Sequence, residues 1–272
     1  AKYRKSPAQV LDMTRDVVAR AVDMGLVVSV GGEDASRADS GFLADFVGML
    51  GQAGARRFRY ADTLGVLDPF ATFEIMTWLR GQTELEIEFH GHDDYGLATA
   101  NTLAALRAGA DVASVTVMGL GERAGNAPLE ELALAAPRFL GCETGLDLRR
   151  LGQLASMVAQ ASGRAIPEGK AVVGSAVFRH ESGIHVSGLL RDASTYEALD
   201  PMQLGHEREI VFGKHSGRAA MNHALEQLGV HAAEDVATQL LVAVRHLAEQ
   251  RKRAISLDEI ALLFSELQCR AA

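Results

Sequence analysis

Cysteine is nearly missing from this chain: in 272 residues only Cys142 and Cys269 occur. They lie far apart and without C-x-x-C spacing, which excludes a disulfide framework and a thiolate zinc site. Long apolar runs are missing too. The apolar stretches are strand-sized and broken by charge or glycine, so none approaches the length that spans a bilayer. Ala1 opens a polar, basic stretch (Lys2, Arg4, Lys5) without the apolar core of a signal peptide, and the expected address is cytoplasmic. An excess of positive charge is also lacking. The net charge is −8, whereas a nucleic-acid surface needs a clustered basic face. The short run Arg251-Lys252-Arg253 reads as a solvated helix end. No repeat, low-complexity tract or Walker pattern occurs. What is present is a 48% hydrophobic composition, enough for one large core or two smaller ones.

The first half alternates helix and strand. Ser6-Pro7 starts a helix whose pattern runs to Gly25, and Leu26 to Val30 reads as a buried strand. Asp39-Ser40 begins a helix that stops at Gly54; Arg57 to Ala61 is the next strand; Asp68-Pro69 opens a helix reaching about Arg80. Strand Leu85 to His90, helix Tyr95 to Ala108, strand Val112 to Val117 and a helix from Asn126 to near Leu140 complete the series. Four strands and five helices in strict alternation imply parallel strands with crossover helices, in a doubly wound sheet or a (β/α)8 barrel. Each strand ends in a polar cluster: Glu33 to Arg37, Asp62-Thr63, His90 to Asp94, and Gly119 to Asn126. A barrel collects its site from many strand ends, whereas an open sheet concentrates it at one switch point. The expected fold is therefore α/β: residues 1–140 form the C-terminal half of a (β/α)8 TIM-type barrel. Residues 141–147 read as a linker. The remainder up to 272 is a mostly helical subdomain, with helices over 148–162, 216–228, 233–250 and 257–267.

His90 and His92 carry the strongest chemical signal. Leu85, Ile87 and Phe89 alternate with Glu84, Glu86, Glu88, His90 and His92, so both imidazoles project from one face. Gly91 between them leaves room for a ligand, and neutral imidazole is a common metal donor. An H-x-H alone reads equally well as two surface histidines beside a polar turn.

The segments Phe89-His90-Gly91-His92-Asp93-Asp94-Tyr95-Gly96-Leu97-Ala98-Thr99-Ala100-Asn101 and Gly119-Leu120-Gly121-Glu122-Arg123-Ala124-Gly125-Asn126-Ala127-Pro128-Leu129-Glu130-Glu131 are specific. They resemble the second signature of the 2-isopropylmalate synthase and homocitrate synthase family. Gly31 to Asp39, Ala61-Asp62-Thr63-Leu64-Gly65, His180-Glu181-Ser182-Gly183-Ile184-His185 and Gly213 to Arg218 follow in the family's order. The resemblance is strongest to the homocitrate synthases of nitrogen fixation, through Gly-Gly-Glu-Asp-Ala-Ser-Arg-Ala-Asp.

The resemblance implies an acyltransferase that condenses acetyl-CoA with 2-oxoglutarate, releasing homocitrate and CoA. It implies a divalent cation (Mg2+, Mn2+, Zn2+ or Co2+) held by His90, His92 and, directly or through water, Asn126. The position of Asn126 also fits a helix N-cap. Thr63 matches the threonine that hydrogen-bonds a substrate carboxylate. His185 matches a histidine that reaches into a partner's barrel and assists proton transfer, and Tyr196 falls where a tyrosine assists the same step; both are the expected catalytic groups. Glu33 and Asp34 read as structural support through salt bridges to Arg37 or Arg123. Gly119, Gly121 and Gly125 allow close backbone approach to a ligand, and His180 and His215 read as loop-ordering residues.

Two departures from the family pattern bear on function. The opening Asp-x-Thr-Leu-Arg-Asp-Gly motif, which supplies a third metal ligand and a catalytic arginine, is not in this chain. Barrel strands amounting to roughly 100 residues are expected from elsewhere. Open sheet edges are a liability, so the missing half belongs to a longer product from which these residues are truncated, or a complementing N-terminal half chain supplies it. A homodimer exchanging helical subdomains is expected because His185 otherwise has no route to the metal. Ser29 stands where lysine-pathway synthases carry an arginine, so carboxylate recognition must come from another residue. Alternative readings are a 2-isopropylmalate or citramalate synthase, a non-catalytic half-barrel partner, and a metal-dependent lyase barrel. No nucleic-acid or membrane partner is expected.

Overall fold

The first helix begins where its caps dictate. Ser6 Oγ accepts from the Gln9 amide at 3.3 Å while Gln9 Oε1 accepts from the Ser6 amide at 3.0 Å, and Pro7 fills the first helical position. Such a reciprocal cap satisfies two orphan donors, each worth about 1 kcal/mol. The computed structural model describes residues 5–271. In it α1 (Pro7–Asp23), β1 (Ser29–Gly32), α2 (Ser40–Gln52), β2 (Arg57–Asp62), α3 (Pro69–Arg80), β3 (Glu86–Gly91), α4 (Ala98–Arg107), β4 (Val112–Ser114) and α5 (Leu129–Leu140) alternate as expected. The start of α3 at Pro69 follows from Asp68, whose Oδ1 accepts from the Phe70 and Ala71 amides at 2.8 and 2.9 Å.

The four strands are all parallel and hydrogen-bond in the order β1-β2-β3-β4. A doubly wound sheet reverses its strand order at a switch point; an unreversed sequence of parallel neighbours is the winding of a (β/α)8 barrel. One sheet face carries Val30, Phe58, Tyr60, Ile87 and Phe89. They pack on the helices in a core that includes Val47, Leu50, Met76 and Leu79. Tyr60 stacks on Phe89 across the β2–β3 pair, with ring centroids 6.2 Å apart. The other face is polar: Ser29, Gly31, Arg57, Arg59, Ala61, Glu86, Glu88, His90 and Ser114 occupy alternate registers on it. Arg57 bonds Glu86 at 2.8 Å and Glu88 at 3.3 Å there.

Three of the boundaries that differ from the expected ones bear on the strand ends. Strand pairing starts at Ser29 and runs on through Gly32, later than the expected 26–30, while Leu26 and Val27 remain exposed. The missing Cβ of Gly32 is the reason the strand continues, because it would stand 2.9 Å from the Phe58 ring. β4 stops at Ser114 instead of Val117, since Met118 takes a left-handed conformation (φ 57°) in a 3-10 turn. The last helix of the series starts at Leu129 after Pro128, so Asn126 is not its N-cap.

The chain divides into two units. One runs to Leu148 and includes Gln153–Ile166; the other comprises Arg149–Gly152 and the residues from Pro167 on. The division falls later than the linker expected at 141–147, because most of α6 (Leu151–Ser162) groups with the first unit. The second unit pairs two short parallel strands, β5 (Arg179–His180) and β6 (Glu209–Ile210). It adds α7 (Gly183–Leu189), α8 (Arg218–Gln227), α9 (Glu234–Arg251) and α10 (Leu257–Ala271). Its core gathers Val186, Phe212, Met221, Leu240, Val244 and Ile260. Among the described residues no helix is long and apolar enough to cross a membrane.

Candidate metal and substrate site

All four strand ends of the first unit are tied to one another. The Asp34 amide, just after β1, donates to Thr63 Oγ1 after β2 at 2.8 Å. The His92 amide donates to the Asp62 carbonyl at 3.4 Å, and the Asp93 amide to the Gly125 carbonyl at 3.0 Å. Arg123, in the segment after β4, chelates Asp94 with two bonds of 2.9 Å and donates to the Thr63 carbonyl at 2.5 Å. Its partner is thus Asp94, while Asp34 pairs with Arg37. Buried Asp62 closes its own turn by accepting from the Val66 and Leu67 amides. The result is a continuous hydrogen-bonded rim at the carboxyl ends of the strands, where barrel sites form.

His90, His92 and Asn126 meet on this rim. The two imidazole centroids are 4.9 Å apart and nearly perpendicular, and His92 pairs with Asn126 in an antiparallel bridge. His90 Nδ1, His92 Nδ1 and Asn126 Oδ1 are all buried with no hydrogen-bond partner among the described residues. A buried polar atom left unpaired costs about 1–3 kcal/mol, and three unpaired donor atoms on neighbouring residues of one rim could be answered by a cation. Burial pushes the His90 pKa down, and the nearby His92 and Arg59 charges act in the same direction, which keeps the ring in its ligating form. The donor set therefore fits a borderline divalent cation of the Zn, Mn, Fe or Co type. Among the described residues no third histidine, cysteine or carboxylate joins the pair.

Asn126 is aimed by its surroundings. Its Nδ2 donates to the Leu120 carbonyl at 3.0 Å, which fixes the amide so that Oδ1 faces the other way. Gly119, Gly121 and Gly125 serve this arrangement. A Cβ on Gly119 would sit 2.8 Å from the Asn126 carbonyl, one on Gly121 would overlap Asn126 Nδ2, and one on Gly125 would overlap the Gly119 carbonyl. The expectation that these glycines open the backbone to a ligand is corrected accordingly. Gly91 likewise leaves room not for a ligand but for the Phe89 ring, 2.9 Å from where its Cβ would stand on the core face. Thr63 keeps a donor in hand: its oxygen accepts from Asp34, so its O–H can donate to an incoming carboxylate.

In the second unit His185 on α7 and Tyr196 come together, their rings 4.2 Å apart and tilted by 32°. Gly188, one turn along α7, makes this possible, because its Cβ would stand 2.6 Å from Tyr196 Cε2. Beside Tyr196, the buried Glu197 accepts from Arg208 Nε at 2.7 Å and lies 3.5 Å from His180. The Arg208 guanidinium holds the Glu197 carboxyl below the usual carboxylate range. The His215 amide donates to Glu181 at 2.9 Å, and its carbonyl accepts from the Gly183 amide. His180 and His215 thus belong to the framework around α7.

Residues 1–158 match the family model described as HMGL-like, and residues 172–252 match the one described as Homocitrate synthase post-HMGL domain-like. The chain belongs to the HMGL-like family. A 2-isopropylmalate synthase of Caldanaerobacter subterraneus is 46% identical over 98% of this chain and 69% of its own length. A homocitrate synthase of Frankia alni is 52% identical over 79% of this chain, which spans 61% of that protein. Among solved structures, a Bacillus subtilis HMG-CoA lyase superposes with a TM-score of 0.54 at 22% identity, covering 60% of this chain and 59% of its own. That likeness shows the barrel fold.

Several residues of consequence escape a reading of the sequence. Arg59 lies on the polar sheet face, exposed; the signal that could have found it is a charge at an inward register of a strand. Gly188 and the Glu197–Arg208 pair leave no such signal, because their roles depend on contacts between distant segments.

Proposed function

We propose that this chain carries the cation-holding strand ends and the proton-transfer pair of an acyltransferase that condenses acetyl-CoA with 2-oxoglutarate to homocitrate and CoA. The observation that carries the reading is the set of three unpartnered donor atoms of His90, His92 and Asn126 on one rim. The Frankia likeness and the post-HMGL match support the choice of product.

His90, His92 and Asn126 would hold the divalent cation. When bound, it supplies Lewis acidity, drawing electron density from the 2-oxo group and compensating the negative charge that develops on its oxygen. The Thr63 O–H donates to the substrate carboxylate and orients it. Arg123 holds Thr63 by its carbonyl, so the hydroxyl is presented from a fixed backbone. His185, backed by Tyr196 and reaching into a partner's barrel, would relay the proton: the acetyl methyl loses one, its carbon bonds to the ketone carbon, and the former oxo oxygen gains one. Water then cleaves the thioester and CoA leaves as the thiol.

A second reading, a 2-isopropylmalate synthase acting on 2-oxoisovalerate, is favoured by the longer match to the Caldanaerobacter protein. The test is CoA release by the protein carrying this chain, with acetyl-CoA, Mn2+ and 2-oxoglutarate, 2-oxoisovalerate or pyruvate in turn. The highest kcat/KM is expected with 2-oxoglutarate, and His90→Ala is expected to abolish both turnover and stoichiometric Mn2+ binding. A preference for 2-oxoisovalerate or pyruvate would replace the product but keep the chemistry. Silence with every 2-oxo acid would overturn the acyltransferase reading in favour of a non-catalytic partner.

A further inference from the structure

Among the described residues, the polar face of the sheet carries one arginine side chain that no carboxylate answers. Arg57 is engaged by Glu86 and Glu88, and Arg56 by Glu86. On the rim, Arg37 is paired with Asp34 and Arg123 with Asp94. The Arg59 side chain has no hydrogen bond or ion pair among the described residues, and the residue is exposed on that face. Its register partners are Gly31 on β1 and Glu88 on β3. The guanidinium lies across β1 over Gly31, whose Cβ would stand 3.1 Å from Arg59 Nη2. It therefore sits where a glycine leaves space, with the neighbouring Glu88 already bonded to Arg57.

The position relative to the cation ligands is set by strand geometry. His90 pairs with Ala61, two residues further along β2 than Arg59. Two residues of strand amount to about 6.6 Å, and neighbouring strands lie about 4.8 Å apart. The residue between Arg59 and His90 on this face is Ala61, and across from Arg59 is Gly31, so small side chains border the lane between them. A guanidinium presents a rigid fork of donors that matches a carboxylate with two parallel bonds.

We infer that Arg59 recognises the distal carboxylate of the 2-oxo acid, so that it selects a 2-oxodicarboxylate over a 2-oxo acid with an apolar tail. The inference rests on the acyltransferase reading for the position of the substrate's other end at His90 and His92. It makes Arg59 a specificity residue: the reacting atoms lie at the rim, and the arginine lies one layer beneath them.

The experiment is calorimetric titration of 2-oxoglutarate and of 2-oxoisovalerate into the Mn2+-loaded protein, with kcat/KM measured for both. The wild type is compared with Arg59→Gln and Arg59→Lys. In Arg59→Gln, affinity and kcat/KM for 2-oxoglutarate are expected to fall about 10- to 100-fold, the scale of a charge-assisted hydrogen bond. Values for 2-oxoisovalerate should stay unchanged, Mn2+ affinity should not move, and Arg59→Lys should restore part of the loss. An equal loss with both acids, or a loss of Mn2+ binding, would mean that Arg59 supports the sheet instead and would overturn the inference. So would unchanged selectivity. Selective loss of 2-oxoglutarate binding in a protein that releases no CoA would sink the acyltransferase reading while leaving the Arg59 contact standing. A wild type that neither binds nor converts 2-oxoglutarate would overturn both.

Discussion

Asn126 and Gly121 share a space that admits no further atom: a Cβ on Gly121 would stand 3.0 Å from Asn126 Cγ and overlap its Nδ2. Because Nδ2 is also bonded to the Leu120 carbonyl, the amide is held in one orientation, with Oδ1 left unpartnered among the described residues. Gly121→Ala must displace that amide. Divalent-cation affinity is expected to drop about 10- to 100-fold, as it does when groups that orient a ligand are removed. Calorimetric titration with Mn2+ or Zn2+ checks this, and unchanged affinity would remove Asn126 from the ligand set.

The Asp94–Arg123 pair gives the rim a pH dependence of definite sign. The hydrogen bond from Arg123 is the main cause that lowers the Asp94 pKa, so the carboxylate is more acidic folded than unfolded. Its contribution is complete above the unfolded carboxylate range, near pH ~4, and is lost as acid protonates the folded group. The Tm difference between wild type and Asp94→Asn should be constant around neutrality and close below about pH 4. A difference that persists undiminished in stronger acid would show that the pair is not its source.

Gly188→Ala should separate Tyr196 from His185. The added methyl meets the tyrosine ring at 2.6 Å at Cε2 and 3.0 Å at Cδ2, closer than packed carbons tolerate. We expect kcat for CoA release to fall about 100-fold, the lower end of what a positioned proton-transfer group contributes, with Mn2+ affinity unchanged. A fall in Mn2+ affinity of the same size would instead point to general unfolding.

Arg208→Ala strips the partner from a carboxylate whose side chain is only 5% exposed. Breaking a buried pair costs about 3–5 kcal/mol. Since Arg208 itself is 36% exposed, about 2–3 kcal/mol is the expected loss here. Urea unfolding followed by circular dichroism measures it. The double variant Arg208→Ala with Glu197→Gln should recover part of the loss, because no unpaired charge then remains.

Much of the framework was legible in the residues. Asp68-Pro69 marked the start of α3, and the alternation of Leu85, Ile87 and Phe89 with charged residues marked β3, since caps and strand periodicity are local properties. The pairing of His90 with His92 was legible for the same reason. Asn126 was not placed correctly as a cap, because Pro128 sets the start of α5 and a strand-to-loop bridge claims Asn126 instead. Glycines were the hardest to read: at Gly91, Gly121 and Gly188 the sequence shows only a missing side chain.

The sequence by itself determined the parallel βα winding, the His-x-His at a strand end and the family, because these depend on patterns within short segments and on their order. Only the tertiary structure decided which atom each glycine makes way for, that Arg123 answers Asp94, and that the Arg59 side chain has no partner among the described residues. Those facts depend on which side chains from distant segments come to share a few ångströms of space, and a linear pattern carries no record of that distance.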